Sequence, residues 1–321
     1  MIETFLYKLN SGKNSKLKYF LSNYLQLLIP NSLYRIRRKY VINKCKKRDD
    51  WEYIKSRVDY YNKLSEKSTL SESSQKIKEH KIGKQKVYFF DSFCYIRWFN
   101  KELKWSFLPG DIIHVPEVPT IVKSRPLVEN NQNSIILKLD KVRHFIFVND
   151  KKRFSEKKDI AIFRGKVAGK DNRILFMNKF ADNPMFDVGD VSKQITNPKW
   201  KSGKKTIADH LDYKFIMALE GNDVASNLKW VMSSNSIAVM PRPTCETWFM
   251  EGKLIPNYHY IEVKDDFSDL EERLRYYIEH QDEAEKIIEN AHNYIKAFKD
   301  KKREKLISLL VLDKYFKLTN E

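Results

Sequence analysis

Residues Lys214 to Glu272 read KFIMALEGNDVASNLKWVMSSNSIAVMPRPTCETWFMEGKLIPNYHYIEVKDDFSDLEE. An apolar strand is expected over Phe215–Leu219, followed by the polar turn Glu220-Gly221-Asn222-Asp223. A helix over Ala225–Ser234 and a second apolar strand over Ile237–Met240 come next. A strand, a glycine-bearing turn and a helix N-terminus together are the usual way a parallel sheet holds a nucleotide phosphate. The block therefore predicts an α/β fold.

The alternation continues outward from it. Ile160–Phe163 reads as a strand, Arg164–Asp171 as a basic loop with two glycines, Asn172–Ala181 as a helix and Phe186–Val188 as a short strand. Downstream, a helical turn is expected over Trp248–Gly252 and a strand over Tyr258–Val263, and Ser268-Asp269-Leu270-Glu271 has the form of a capping box. The rest is helical, with Ala284, Ile287, Ile288, Ala291 and Ile295 on one face. Strands alternating with helices imply a parallel sheet. The first half is less regular. Residues 51–84 read as polar helix with a Ser-rich loop from Ser65 to Ser74. Strands are expected over Lys86–Asp91 and over Asp111–Val115, the latter entered at Pro109-Gly110 and left at Pro116. Ser134–Leu139 suits a short helix or strand, and Arg143–Val148 is ambiguous by periodicity. A charged, apolar-poor stretch at 149–158 is a plausible boundary.

The chain has 321 residues, 42% hydrophobic and 13% aromatic, enough for two packed α/β domains. Cys45, Cys94 and Cys245 are few and far apart, without metal or disulfide spacing, which suits a reducing cytosol. No signal-peptide pattern opens the chain, and no apolar run approaches the roughly 18 residues of a membrane span. The net charge is +18, and residues 1–48 hold 12 Lys or Arg against Glu3 alone. Phe5, Leu6, Tyr7, Tyr19, Phe20, Leu21, Tyr24 and Leu25 precede the basic run Arg35 to Arg48. Apolar residues beside basic ones suit an anionic membrane surface. No zinc finger or RNP-type motif supports a nucleic-acid partner.

The second half resembles glycosyltransferase family 90, the CAP10-like and protein O-glucosyltransferase group, and within it the bacterial lipopolysaccharide A proteins. The residues that carry the likeness are Phe163-Arg164-Gly165 with Arg173, Glu220-Gly221-Asn222, Trp248-Phe249, Leu254-Ile255-Pro256, His259-Tyr260 and Asp266–Leu270. The resemblance implies a GT-B architecture, two Rossmann-like domains with parallel sheets facing a cleft. The expected division is a basic segment 1–50, an acceptor-side domain 51–155, a nucleotide-sugar domain 156–297 and a C-terminal helix 298–321. It also implies a UDP-sugar donor and inversion without a metal, and no Asp-x-Asp triplet occurs in the chain. Where the family has Asp, Gly and Arg, this chain has Glu220, Asp223 and Asn227, which leaves Lys229 as a source of that positive charge.

Inverting transfer needs a base for the acceptor hydroxyl and positive charge or N–H donors for the departing diphosphate. Glu117 aligns with the family's catalytic base, an Asp at a strand end; Asp111 and His114 are the fallbacks. Arg164, Gly165, Arg173, Glu220, Gly221, Asn222, Asp223, Ser226, Lys229 and Glu246 are the donor-site candidates, with no metal ligand among them. His259 reads as a buried structural residue, and the lysines from Lys199 to Lys205 as a solvated loop. The expected protein is a cytoplasmic enzyme, peripheral at the inner membrane, moving a hexose from a UDP-sugar to lipopolysaccharide or lipooligosaccharide core on a lipid-linked acceptor. Capsule polysaccharide or a protein hydroxyl as acceptor, or a non-catalytic basic module, are the alternatives.

Overall fold

The computed structural model describes residues 11–320. Two compact units divide the chain. One comprises Arg143–Pro243 and Lys253–Ala297 with the described part of Met1–Asn14; the other comprises Ser15–Val142, Thr244–Gly252 and Phe298–Glu321 up to residue 320. The sequence division put a boundary at 155/156 and set the two termini apart. In the structure the basic helices and the C-terminal helix pack within the second unit, and the segment around Trp248 joins them there. Phe5, Leu6 and Tyr7 lie outside the described residues.

The strands, in chain order, are β1 (Gln75–Lys76), β2 (Lys104–Leu108), β3 (Thr120–Val122), β4 (Ser124–Pro126), β5 (Ser134–Ile136), β6 (Lys158–Gly165), β7 (Phe186–Asp190), β8 (Tyr213–Met217), β9 (Ile237–Met240), β10 (Cys245–Thr247) and β11 (Ile261–Glu262). The first unit is built on an all-parallel sheet of order β11-β9-β8-β6-β7. Numbered within that unit the order is 2-1-3-4-5, a doubly wound arrangement whose switch point lies between β6 and β8. Every residue of β8 and β9 is buried, as central parallel strands covered on both faces require. Four of the expected strands here are present with ends within two residues, the expected strand Tyr258–Val263 is shortened to Ile261–Glu262, and Ala284, Ile287, Ile288, Ala291 and Ile295 are buried along the helix Gln281–Lys296.

Two local expectations fail in this unit. The helix over Ala225–Ser234 is only the turn Leu228–Val231. The Ser233 and Ser234 hydroxyls donate to the Trp230 and Val231 carbonyls (2.9 and 2.7 Å), an alternative to helical bonding that ends the helix. The capping box at Ser268 does not form either. Asp269 holds the N-cap position of Leu270–Glu279 without a side-chain cap bond, and its carboxylate accepts instead from the Lys264 N–H (2.9 Å).

The second unit carries a four-stranded sheet of order β1-β2-β3-β5, parallel except for β1, and the antiparallel pair β10-β4. Helices Lys16–Leu27, Asn31–Cys45, Trp51–Tyr61, Lys86–Ile96 and Lys301–Asn320 belong to it. β2 and β3 are joined by an irregular connector, not by a crossover helix, so this unit has parallel strands without a Rossmann repeat. The expected strand Asp111–Val115 is part of that connector. Gly110, at φ +123°, turns the chain out of the sheet, and the Ser124 hydroxyl pairs with both the N–H and the carbonyl of Ile112 (3.0 and 3.1 Å).

The expected strand Lys86–Asp91 is the first part of the helix Lys86–Ile96. Its Val, Tyr and Phe residues favour a strand locally, but Phe89, Phe90, Tyr95 and Ile96 are buried on the helix and Asp91 beside them is fully buried. Asp91 accepts from the Tyr19 hydroxyl (2.7 Å) and the Lys141 N–H (2.8 Å), which fixes the helix Lys16–Leu27. Ser134–Ile136 is a strand, and in Arg143–Val148 only the end of the turn Lys141–His144 is helical.

His80 supplies a pH test of this unit. Its ring stacks on Phe89 (centroids 4.9 Å) and meets Trp105 and Phe107 edge-on. Burial pushes its pKa down to about 4. In the unfolded chain a histidine titrates near 6.5, so the unfolded state takes up a proton that the folded state refuses. The stabilisation is complete above pH 6.5 and is lost as the pH falls towards 4. We expect about 3 kcal/mol of stability to disappear over that window, and the slope to flatten in His80→Gln, by urea unfolding at stepped pH.

Candidate active site

The switch point of the first unit is fastened by Arg173. This residue lies in the first turn of the helix Asp171–Phe180, which follows the loop after β6. Its Nε donates to the Glu220 carbonyl (3.0 Å) and its two terminal nitrogens donate to the Leu219 and Lys166 carbonyls (2.7 and 2.8 Å). Asn172 adds a bond to the Glu220 carbonyl (3.2 Å). One guanidinium thus ties the loop after β6 to the loop after β8, at the place where an open α/β sheet takes its ligand. Burial lowers the Arg173 pKa to about 10, which leaves it a cation at neutral pH.

Two glycines of these loops leave room for neighbouring side chains, Gly221 for Arg173 and Gly165 for Phe163. A Cβ on Gly221 would stand 3.1 Å from its guanidinium. A Cβ on Gly165 would stand 2.5 Å from the Phe163 ring, which itself packs edge-on against Phe176 (5.5 Å) and cannot give way. Gly165→Ala is expected to destabilise by about 1–3 kcal/mol through overpacking, read by urea unfolding, and to loosen the loop that Arg173 holds.

Asp190, unremarked in the sequence, organises the same edge. Fully buried at the end of β7, it accepts from the N–H groups of Val167 (3.2 Å) and Ser192 (2.8 Å). Burial would raise its pKa, but the hydrogen bonds from Ser192, Val167 and Thr196 outweigh this and hold it below the ordinary aspartate value. An Asp ending a parallel strand was the available signal.

The other donor candidates separate into groups. Arg164 turns back over the sheet. It donates to the Asp187 carbonyl (2.7 Å) and ion-pairs with the Asp187 carboxylate, which also accepts from the Tyr213 hydroxyl. That guanidinium is committed inside the sheet and not held out toward a ligand, because Asp187 lies one strand over on the same face. Glu220, Gly221, Asn222 and Asp223 form the turn after β8, where the Gly221 N–H donates to the Asp223 carbonyl (3.0 Å); Asn222 and Ser226 are exposed and Asp223 is buried. Asn227 donates to the Met217 carbonyl (3.0 Å), a structural use of the position. Lys229 is fully buried on the turn Leu228–Val231, so it does not present the open charge expected of it. His259 is buried and accepts from the Ile255 N–H (2.9 Å), the structural role read from the sequence.

Glu246 belongs to the second unit. It sits on β10, fully buried, accepting from Arg125 Nε (2.8 Å) and from the Tyr60 hydroxyl. A buried carboxylate paired in this way holds β10 to β4 and is not open to sugar hydroxyls. Deeper in that unit, Glu304 accepts from Arg57 (2.6 Å), Lys138 (2.8 Å) and the Trp248 indole N–H (2.6 Å). Trp248 also stacks on Tyr61 at 3.9 Å.

At the carboxyl edge of β2 and β3 stands Asp111, ion-paired with the buried Lys123. Glu117 lies on the returning limb of the connector, just before β3. Its carbonyl and that of Pro116 accept from Asn133, which precedes β5. Glu117 is therefore exposed at the amino edge of these strands, not past their carboxyl ends where a parallel sheet takes its ligand. His114 is exposed in the connector between them. Among the described residues no group of three His, Cys, Asp or Glu side chains could hold a metal ion.

A 2-1-3-4-5 parallel sheet is a doubly wound α/β arrangement, of the kind that takes a ligand at its switch point. The chain belongs to glycosyl transferase family 90, whose model matches residues 132–320. It is 40% identical over 265 residues to the O-glucosyltransferase LpsA of Dichelobacter nodosus, a match that covers 83% of each chain. The protein is a glycosyltransferase.

Proposed function

We propose that this enzyme moves a hexose, glucose in view of its relative's name, from a UDP-sugar to a hydroxyl of lipopolysaccharide or lipooligosaccharide core. Transfer proceeds with inversion and without a metal, in a GT-B arrangement, at the cytoplasmic face of the inner membrane. The observation that carries the reading is the Arg173-fastened switch point between β6 and β8. In this reading the N–H groups of the Gly165 and Gly221 turns, with Asn222 and Ser226, receive the nucleotide diphosphate, and the Glu220 carboxylate meets the ribose. Arg173 positions those turns and adds positive charge. Arg164, Lys229 and Glu246 support the fold.

Asp111 is the base. It takes the proton from the acceptor hydroxyl as that oxygen bonds to the anomeric carbon, and the bond from that carbon to UDP breaks with its electron pair leaving on the diphosphate. Lys123 beside it holds the carboxylate in place through their ion pair.

Thermal unfolding with UDP, GDP, CMP and ADP, with and without chelator, tests the donor. UDP at a hundredfold excess over its Kd is expected to add about 2.7 kcal/mol, unchanged by chelator. A shift with GDP, CMP or ADP alone would replace the donor nucleotide, and no shift with any of the four would sink the reading.

A further inference from the structure

The helices Lys16–Leu27 and Asn31–Cys45 are held firmly yet leave large apolar side chains in water. Arg97 clamps the junction between them. It donates to the Gln26 carbonyl (2.9 Å), the Asn31 side chain (2.9 Å) and the Ile29 carbonyl, with its guanidinium over the Tyr34 ring (4.1 Å). Even so, Leu17 is 80% exposed, Leu28 79% and Ile36 76%, and Leu33 and Tyr40 are more than half exposed. Such a set, fixed on two ordered helices, is unusual for a surface that meets only water.

Beside these residues is a cavity of ≈ 820 Å³. Leu33, Tyr34, Trp98 and Leu306 give it an apolar wall, and every charged residue that lines it is basic: Arg37, Lys44, Lys47, Arg48, Lys302 and Lys305. Arg48 is paired with Asp50 and Asp300. Among the described residues no carboxylate pairs with the other five. Lys305 lies over the Trp98 ring at 4.5 Å. Burial lowers its pKa; the Cys94 thiol opposes this and Arg37 adds to it. A pocket that gathers unpaired cations over an aromatic floor, and whose mouth residue Leu33 is itself exposed, matches an anion attached to an apolar body.

We propose that this cavity seats the phosphate headgroup of an anionic phospholipid in a membrane surface, with Leu28, Leu33, Ile36 and Tyr40 entering the acyl boundary around it. The cations of the helix Asn31–Cys45 and of the C-terminal helix meet at the phosphate, so the site joins the two ends of the sequence. The purpose assigned to it, holding the enzyme where a lipid-linked acceptor lies, rests on the proposed function. The binding itself does not.

The test is cosedimentation of the full chain with vesicles that contain no saccharide. Phosphatidylcholine vesicles are compared with ones holding about 30% phosphatidylglycerol. Binding is expected to the anionic vesicles only. Each basic side chain near such a surface contributes a factor of about fivefold, so Arg37→Glu with Lys44→Glu should lower the partition coefficient more than about tenfold. Lys193→Glu with Lys199→Glu, the same charge change in the other unit, should leave it within about twofold. Unchanged thermal midpoints confirm that both variants fold. Equal losses in the two variants would assign the effect to net charge and overturn the proposal. So would equal binding to both vesicles, or no vesicle binding with retention of a single-stranded oligonucleotide. None of these outcomes touches the sugar-transfer reading, which the nucleotide shifts decide.

Discussion

Asp111→Asn is expected to lose about 10²–10⁴ of kcat while keeping its stabilisation by UDP, the signature of a removed general base with an intact donor site. That loss corresponds to about 3–5 kcal/mol of barrier. The comparison that gives it meaning is Glu117→Gln, expected to stay within about threefold of the parent because that side chain stands at the opposite edge of the strands. Single-turnover sugar transfer measures both. Asp111→Asn also weakens the hold on the buried Lys123, so the thermal midpoint is recorded alongside, and Asp111→Glu should recover part of the rate. The reverse pattern, Glu117 essential and Asp111 dispensable, would move the base to the connector's other limb and show that the sheet edge misled.

Glu304→Gln is expected to lower stability by about 3–5 kcal/mol, the range for breaking a buried ion pair from one side. Arg57 and Lys138 would then face each other with no carboxylate between them, and the Trp248 indole would keep only a neutral acceptor. In a unit of this size that is about 10 °C in Tm. Glu304→Gln combined with Arg57→Met and Lys138→Met should be milder than Glu304→Gln alone, because the uncompensated charge is largely what the single change costs. A shift below about 2 °C for the single variant would mean that water reaches the cluster.

The contrast between these two sites shows what the sequence could reveal. The parallel sheet of the first unit was readable because Ile160–Phe163, Phe215–Leu219 and Ile237–Met240 are short apolar runs between glycine or serine turns, and strands covered on both faces must look so. Gly165, Gly221 and Arg173 were readable as a group, though not their mechanism: the arginine serves three carbonyls, Gly221 makes room for it and Gly165 makes room for the Phe163 ring. Arg164 looked equivalent, since nothing local tells an arginine aimed at a neighbouring strand from one aimed at a ligand. Asp111–Val115 has the β-branched residues of a strand, but only the left-handed Gly110 and the Ser124 hydroxyl, which bonds the Ile112 backbone, show that it leaves the sheet. Glu304 with Arg57 spans 247 positions and Glu246 with Arg125 spans 121. Pairs that distant leave no periodic trace, so buried carboxylates there read as surface or ligand groups.

The interleaving of the two units has a temporal side. The sheet unit has all its described parts once Ala297 has left the ribosome, whereas the other unit takes helices from Ser15 onward and again from beyond Phe298. Arg57 is made 247 residues before the carboxylate that neutralises it. Through most of translation it has no native counter-charge, so the early helices must wait, open and basic, while the later-made unit can close ahead of them. Of the two units, the one whose helices begin at Ser15 is completed only after the one whose described parts end at Ala297.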